Sequence, residues 1–98
     1  MEKIKFSVKK REKLNEPKDF KVILLNDDYT TMDFVVYILK TIFHKSEIDA
    51  QRIMLYIHKK GQSTVGQYPF DVARTKENQV HNLARKNEFP LMCILKEV

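Results

Sequence analysis

The chain has 98 residues, of which 43% are hydrophobic and 10% aromatic, a composition typical of one folded domain with a modest core. No apolar run approaches the roughly 20 residues that a membrane span requires, and the charged N-terminus lacks the apolar segment of a signal peptide. The single cysteine, Cys93, excludes an internal disulfide and fits a reducing compartment. We therefore expect a cytoplasmic protein in which Cys93 is buried and unreactive.

The net charge of +5 is unevenly distributed, since residues 1–18 carry +4 and residues 19–98 carry only +1. We expect residues 1–17 to form a flexible N-terminal extension and residues 18–98 to form the domain. Basic extensions can bind nucleic acid, so a nucleic-acid- or ribosome-associated module is the alternative interpretation. Because such extensions are more often solvated tails, no nucleic-acid partner is expected.

Hydrophobic periodicity predicts strands separated by helices after residue 18. Residues 22–25 form a continuous apolar run, which indicates a strand buried on both faces. The predicted elements in chain order are a strand over about 20–26, helices over about 30–43 and 46–60, a strand over 63–68, a helix over about 69–87 and a strand over 91–95. This β-α-α-β-α-β order predicts an α+β fold, a small three-stranded antiparallel sheet packed on three helices.

Short polar motifs predict where the helices begin and end. Thr30 with Asp33, and Ser46 with Asp49, have the spacing of a capping box at a helix N-terminus. Gly61 is suited to the position after a helix, where the backbone often turns left-handed. Gly66 lies within a predicted strand and indicates either a bulge or a close backbone approach.

Three polar residues, Asn26, Asp27 and Asp28, directly follow the first strand. They place hydrogen-bond acceptors at the rim of the core, an arrangement suited to holding a small cation. His58 lies at the edge of the apolar face of the second helix, where a lone histidine is more often structural than functional.

Apolar residues on the first two helices could continue this rim into a hollow. Met32 and Val35 are three residues apart on the first helix, and Met54 and Ile57 are three apart on the second. If the two helices pack together, these residues line a cavity beneath the acceptors. On periodicity alone, however, the simpler interpretation is that these residues pack in the hydrophobic core and line no cavity.

Enzymatic and metal-binding motifs are not found in the sequence. Asp27 and Asp28 are sequential and should point in different directions, which disfavours an acid–base pair. No HxxxH or CxxC spacing predicts a metal site, and two glycines in the whole chain exclude a glycine-rich phosphate loop. We therefore expect no catalytic activity, no metal and no cofactor.

Four segments carry a resemblance to a known family: VILLNDDYTTMDFVVYILKTIF, IMLYIHKKG, VARTK and NEFPLMCIL. In this order they closely resemble the ClpS family, the bacterial N-degron adaptors of the ClpAP protease, from about residue 18 to residue 98. The resemblance implies an adaptor that binds the first residue of a substrate and passes the chain to the unfoldase ClpA.

The same resemblance implies a role for individual residues. Asn26, Asp27 and His58 correspond to the groups that hold the α-ammonium of the substrate. The pocket positions that it implies are Asp28, Thr30, Met32, Val35, Met54, Ile57 and Leu91. Such a pocket receives Leu, Phe, Tyr or Trp, and the methionine gate at Met32 excludes β-branched residues. Asp71 and Lys76 match positions that contact the N-terminal domain of ClpA, with Asp71 replacing a longer glutamate.

Overall fold

The computed structural model describes residues 18–98, so the expected flexible extension of residues 1–17 lies outside the described part. Its elements are β1 (Asp19–Leu25), α1 (Met32–Thr41), α2 (Glu47–Lys60), β2 (Gln62–Pro69), α3 (Phe70–Lys86) and β3 (Met92–Glu97). The predicted element order and the three-stranded antiparallel sheet are confirmed. Among residues 18–98, no helix combines the length and hydrophobicity needed to cross a membrane.

The first strand is the centre of the sheet, because the strand order is β2-β1-β3. Val22 and Leu24 are fully buried in the core that the helices share with the sheet. Ile23 points to the opposite face, where it pairs with Thr64 on β2 and Ile94 on β3 and is only 6% exposed. The predicted burial of this strand on both faces is therefore confirmed for its three central residues.

The strand β2 contains the irregularity that its glycine predicts. The register between β1 and β2 shifts after Val22, which faces Gly66, so Val65 is an extra residue in the ladder. A Cβ atom at Gly66 would also lie 2.5 Å from the ring of Tyr68. Both predicted features, the bulge and the close approach, therefore occur here.

The second helix begins and ends as predicted. The Ser46 hydroxyl accepts a hydrogen bond from the Asp49 amide at 3.1 Å, which satisfies a free N–H group in the first turn. Gly61 follows the helix with φ of +94°, a left-handed conformation that favours glycine. These two residues fix the length of α2 and the direction in which the chain enters β2.

The first helix begins one residue later than predicted. Thr31, not Thr30, is the N-cap residue, with an extended backbone (φ −71°, ψ 152°) and a hydroxyl that accepts from the Phe34 amide at 3.1 Å. The predicted capping box of Thr30 and Asp33 is wrong. The reason is that the Thr30 hydroxyl already donates to Asp27, in the turn before the helix.

Cys93 lies in the core on β3, with 1% of its surface exposed. Burial, followed by the nearby charge of Glu77, raises the pKa of its thiol to about 12. Its amide donates to Nε2 of His81 at 3.0 Å, which joins β3 to α3. The prediction of a buried cysteine is confirmed, and the raised pKa keeps this thiol protonated at neutral pH.

Candidate functional site

The end of β1, the start of α1 and the last turns of α2 meet at one place on the molecule. The backbone N–H group of Asn26 donates a hydrogen bond to the carbonyl oxygen of Gly61 at 2.8 Å. Because Gly61 directly follows α2, this bond holds the end of that helix beside the turn after β1. His58, in the last turn of α2, is thereby brought next to the polar residues of the turn.

The carboxylate of Asp27 organises this turn. Its Oδ1 accepts from the amides of Tyr29 at 2.8 Å and Thr30 at 2.7 Å, and its Oδ2 accepts from the Thr30 hydroxyl at 2.7 Å. Partial burial raises the pKa of the Asp27 carboxyl group, but these three hydrogen bonds outweigh burial and hold the pKa below its usual value. Asp27 is therefore an anion of fixed orientation at neutral pH.

A cavity of about 510 Å³ opens beside this turn. It is lined by Asn26, Asp27, Asp28, Tyr29, Thr30, Thr31, Met32, Val35, Met54, Ile57 and His58. This lining includes nine of the ten residues predicted for the α-amino site and the pocket. Tyr29 and Thr31 were not predicted, although their positions within the same turn could have indicated them. The volume lies within the range typical of ligand sites.

The cavity has apolar walls and a polar mouth. Val35, Met54 and Ile57 are 8%, 7% and 2% exposed, while Met32 is 44% exposed. Asn26 and His58 are exposed polar residues. Among the hydrogen bonds of residues 18–98, none involves the Asn26 side chain or the His58 ring. Both side chains are consequently available to a ligand.

Leu91 is the one predicted pocket residue that the structure does not bring to the cavity. It lies immediately before β3 and is 1% exposed within the hydrophobic core. Its carbonyl oxygen accepts from Arg85 of α3 at 3.3 Å, which ties this part of the chain to the helix. The structure places Leu91 in the core and not in the lining.

Asp71 and Lys76 lie on α3, and neither lines the cavity. Asp71 is exposed in the first turn of the helix. Lys76 donates to the carbonyl oxygen of Ile42 at 2.7 Å, and its Nζ lies 5.8 Å from the centre of the Tyr68 ring. A cation at the C-terminal end of α1 also interacts favourably with the helix dipole. Lys76 therefore has a structural role within the domain.

The chemistry of the site favours a cationic amine attached to an apolar group. An amide oxygen, a carboxylate and a neutral imidazole nitrogen can each accept a hydrogen bond from an ammonium group. The apolar walls provide space for a side chain carried by the same molecule. Within residues 18–98, no group of three or more His, Cys, Asp or Glu residues could hold a metal ion.

Comparison with known proteins establishes the family. The family model described as "ATP-dependent Clp protease adaptor protein ClpS" matches residues 15–94. The chain belongs to the ClpS family. An ATP-dependent Clp protease adapter protein ClpS from Syntrophus aciditrophicus is 58% identical over 87 residues, covering 89% of this chain and 81% of the relative. The ClpS of Acetivibrio thermocellus is 57% identical over 81 residues, covering 83% of this chain and 82% of the relative.

A solved ClpS structure has the same fold. Agrobacterium tumefaciens ClpS2 bound to L-phenylalaninamide superposes with a TM-score of 0.82 at 38% sequence identity. The match covers 85% of this chain and all of the ClpS2 chain. This ClpS-family protein therefore shares both sequence and architecture with adaptors of the Clp protease.

Proposed function

We propose that this ClpS-family protein is a non-enzymatic adaptor that binds the N-terminal residue of N-degron substrates and delivers them to the ClpA unfoldase of ClpAP. The preferred first residues are Leu, Phe, Tyr and Trp. The proposed site of action is the reducing cytoplasm. The observation that carries the proposal is the group of hydrogen-bond acceptors at the mouth of the apolar cavity.

The α-amino group of a substrate supplies the cation. With a pKa of about 8 it is mostly protonated at neutral pH and offers three N–H donors. In the proposed complex, Asn26, Asp27 and His58 accept these donors and the first side chain enters between α1 and α2. L-phenylalaninamide, the ligand named for ClpS2, combines a free α-amino group with a phenyl ring and so has this chemistry.

Micromolar binding requires both the apolar cavity and the hydrogen-bond acceptors at its mouth. Burial of one Leu or Phe side chain provides about 1.5–3 kcal/mol. A dissociation constant of 1 μM corresponds to about 8 kcal/mol, so the side chain alone is insufficient. The ammonium group must therefore provide a large share of the binding energy, and modification of the amine should remove most of the affinity.

Titration of fluorescent peptides by anisotropy tests this proposal. We expect peptides that begin with Phe or Leu to bind, and N-acetylated or Val-first peptides to bind at least tenfold more weakly. His58→Ala should weaken binding without unfolding the domain. Lys59→Ala is the matched control, because Lys59 is exposed on the same helix turn but does not line the cavity. Equal binding of acetylated and free peptides would refute the proposal.

Met32 is the proposed gate for the first side chain. Its partial exposure at the mouth supports this role, since a flexible thioether there limits the shape of what can enter. We expect Met32→Ala to improve binding of Val-first and Ile-first peptides relative to Phe-first peptides. An unchanged ratio of the two affinities would assign the selectivity to the deeper walls.

Delivery to ClpA is proposed to use residues 1–16, together with Asp71 and Lys76. Deletion of residues 1–16 should preserve peptide affinity and abolish ClpAP degradation of a Phe-first substrate. A nucleic-acid-binding module would instead lose its ligand with the same deletion. Asp71→Ala is the cleaner test of the ClpA contact, because Lys76→Ala also removes the hydrogen bond to Ile42.

A further inference from the structure

A second groove, of about 570 Å³, lies between α2 and the edge strand β2. Its helix wall consists of Arg52, Ile53, Tyr56 and Lys60, and its strand wall is the first three residues of β2, Gln62 to Thr64. No residue of β1 lines it. Since β1 pairs with one edge of β2, the groove runs along the other edge.

This groove is on the opposite side of α2 from the cavity that is proposed to bind the α-amino group. Residues of an α-helix are rotated by about 100° per position. Met54 and His58 therefore share the side that lines the cavity, while Arg52 and Tyr56 share the side that lines the groove. The two surfaces have no lining residue in common. A ligand in one leaves the other accessible.

The edge of β2 offers backbone hydrogen-bonding groups to an added strand. In the described sheet β2 pairs with β1 alone, so alternate backbone groups on its free edge face outward. The bulge at Val65 and Gly66 interrupts the regular ladder directly afterwards. The regular part of β2 before the bulge is Gln62 to Thr64, which suits a short extended segment.

The charge and apolar character of the helix wall indicate the kind of segment. Arg52 and Lys60 provide two cations, and no carboxylate lines the groove. Asp49 lies 3.7 Å from Arg52, but both side chains are mostly exposed and such a pair is strongly screened. Tyr56, which is 52% exposed, supplies an aromatic surface beside them. The groove is therefore complementary to an acidic strand that also carries an apolar residue.

We propose that this groove binds an extended acidic segment of a partner protein. The segment adds as a strand to Gln62 to Thr64, places acidic side chains near Arg52 and Lys60, and packs an apolar side chain on Tyr56. The chain's own N-terminal segment is disfavoured as the occupant, because residues 1–18 carry a charge of +4. The proposal does not depend on N-degron binding.

An NMR titration of the full chain tests the proposal with a defined probe, acetyl-Glu-Val-Glu-Phe-Glu-Val-amide. Acetylation removes the free amine that the other site is proposed to need. We expect amide shifts at Gln62 to Thr64 and Tyr56, weaker binding at higher salt, and undiminished binding when a Phe-first peptide saturates the cavity. The same peptide with Lys in place of Glu should bind at least tenfold more weakly.

Charge reversal gives the decisive comparison. The double variant Arg52→Glu, Lys60→Glu should lose at least tenfold in affinity for the acidic probe and keep its affinity for the Phe-first peptide. Lys59→Glu is the matched control, since this neighbouring lysine does not line the groove and should change the affinity less than twofold. No binding at millimolar probe, equal binding of the lysine peptide, or an unaffected double variant would overturn the proposal.

Discussion

Replacement of Thr30 by valine tests whether the turn after β1 is preorganised by its own side chains. The Asp27 carboxylate accepts three hydrogen bonds, two from backbone amides and one from the Thr30 hydroxyl at 2.7 Å. Thr30→Val keeps the shape of the side chain and both amide bonds, but removes the hydroxyl donor. Hydrogen bonds to charged groups contribute about 1.5–3 kcal/mol, and partial solvent exposure reduces this to about 1 kcal/mol here.

We therefore expect Thr30→Val to lower the free energy of unfolding by about 1 kcal/mol, as measured by urea denaturation. Because the same bond fixes the orientation of the carboxylate of Asp27, which lines the cavity, the affinity for a Phe-first peptide should fall about fivefold, the equivalent of about 1 kcal/mol. Ser46→Ala is the matched control, because Ser46 does not line the cavity. It removes the N-cap hydroxyl of α2 and should cost about 1 kcal/mol of stability, with less than a twofold change in affinity.

Three results would refute this reasoning. If Thr30→Val changes neither stability nor affinity, the hydroxyl does not hold the carboxylate in solution. If affinity falls more than fiftyfold while stability is unchanged, Thr30 contacts the substrate directly and its role is not positional. Equal losses of affinity in Thr30→Val and Ser46→Ala would assign both effects to a general loss of stability.

Three further predictions follow from individual contacts. Gly66→Ala should lower the free energy of unfolding by about 1–3 kcal/mol, because its Cβ meets the Tyr68 ring at 2.5 Å, and a Tyr68→Ala background should suppress that loss in urea denaturation. The folded-state pKa of Asp27 lies below its unfolded value, so its charge stabilises the native protein above about pH 4 and the stabilisation is lost as pH falls through the folded-state pKa. Denaturation of wild type and Asp27→Asn from pH 7 to pH 2 should show a difference that shrinks toward the acid end; a constant difference contradicts this. Cys93, with its pKa raised to about 12, should react with a thiol reagent at pH 8 in urea but not in the native state, and rapid native labelling would contradict its burial.

The position of helix starts shows how far local sequence patterns reach. Ser46 was correctly predicted as a cap because no neighbouring group competes for its hydroxyl. The prediction that Thr30 caps α1 is wrong, because two consecutive threonines precede the helix and either could cap it. The choice depends on Asp27, whose carboxylate binds both the amide and the hydroxyl of Thr30 and leaves Thr31 to cap α1. The spacing of a capping motif alone does not show that another side chain binds the hydroxyl of the expected cap.

The candidate cavity shows a second limit. Helical spacing correctly placed Val35, Met54 and Ile57 on inward faces, but a core face and a cavity wall have the same periodicity. Resemblance to the ClpS family, rather than spacing, selected the cavity interpretation. Leu91 illustrates the converse, because a residue matched by resemblance is placed in the core, one position before β3. Whether Leu91 lines the cavity or the core depends on how the chain returns from α3, which no local pattern specifies.

The hydrogen bonds of Asp27 also constrain how an ammonium group could be held. An ionised carboxylate has about four acceptor positions, and three are used within the turn. At most about one remains for a ligand, so Asp27 would act mainly through its negative charge and its backbone carbonyl. The unoccupied acceptors are then the side-chain amide oxygen of Asn26 and the His58 ring, which both line the cavity. Substitution of either should reduce amine affinity with little loss of stability, whereas substitution of Asp27 should reduce both.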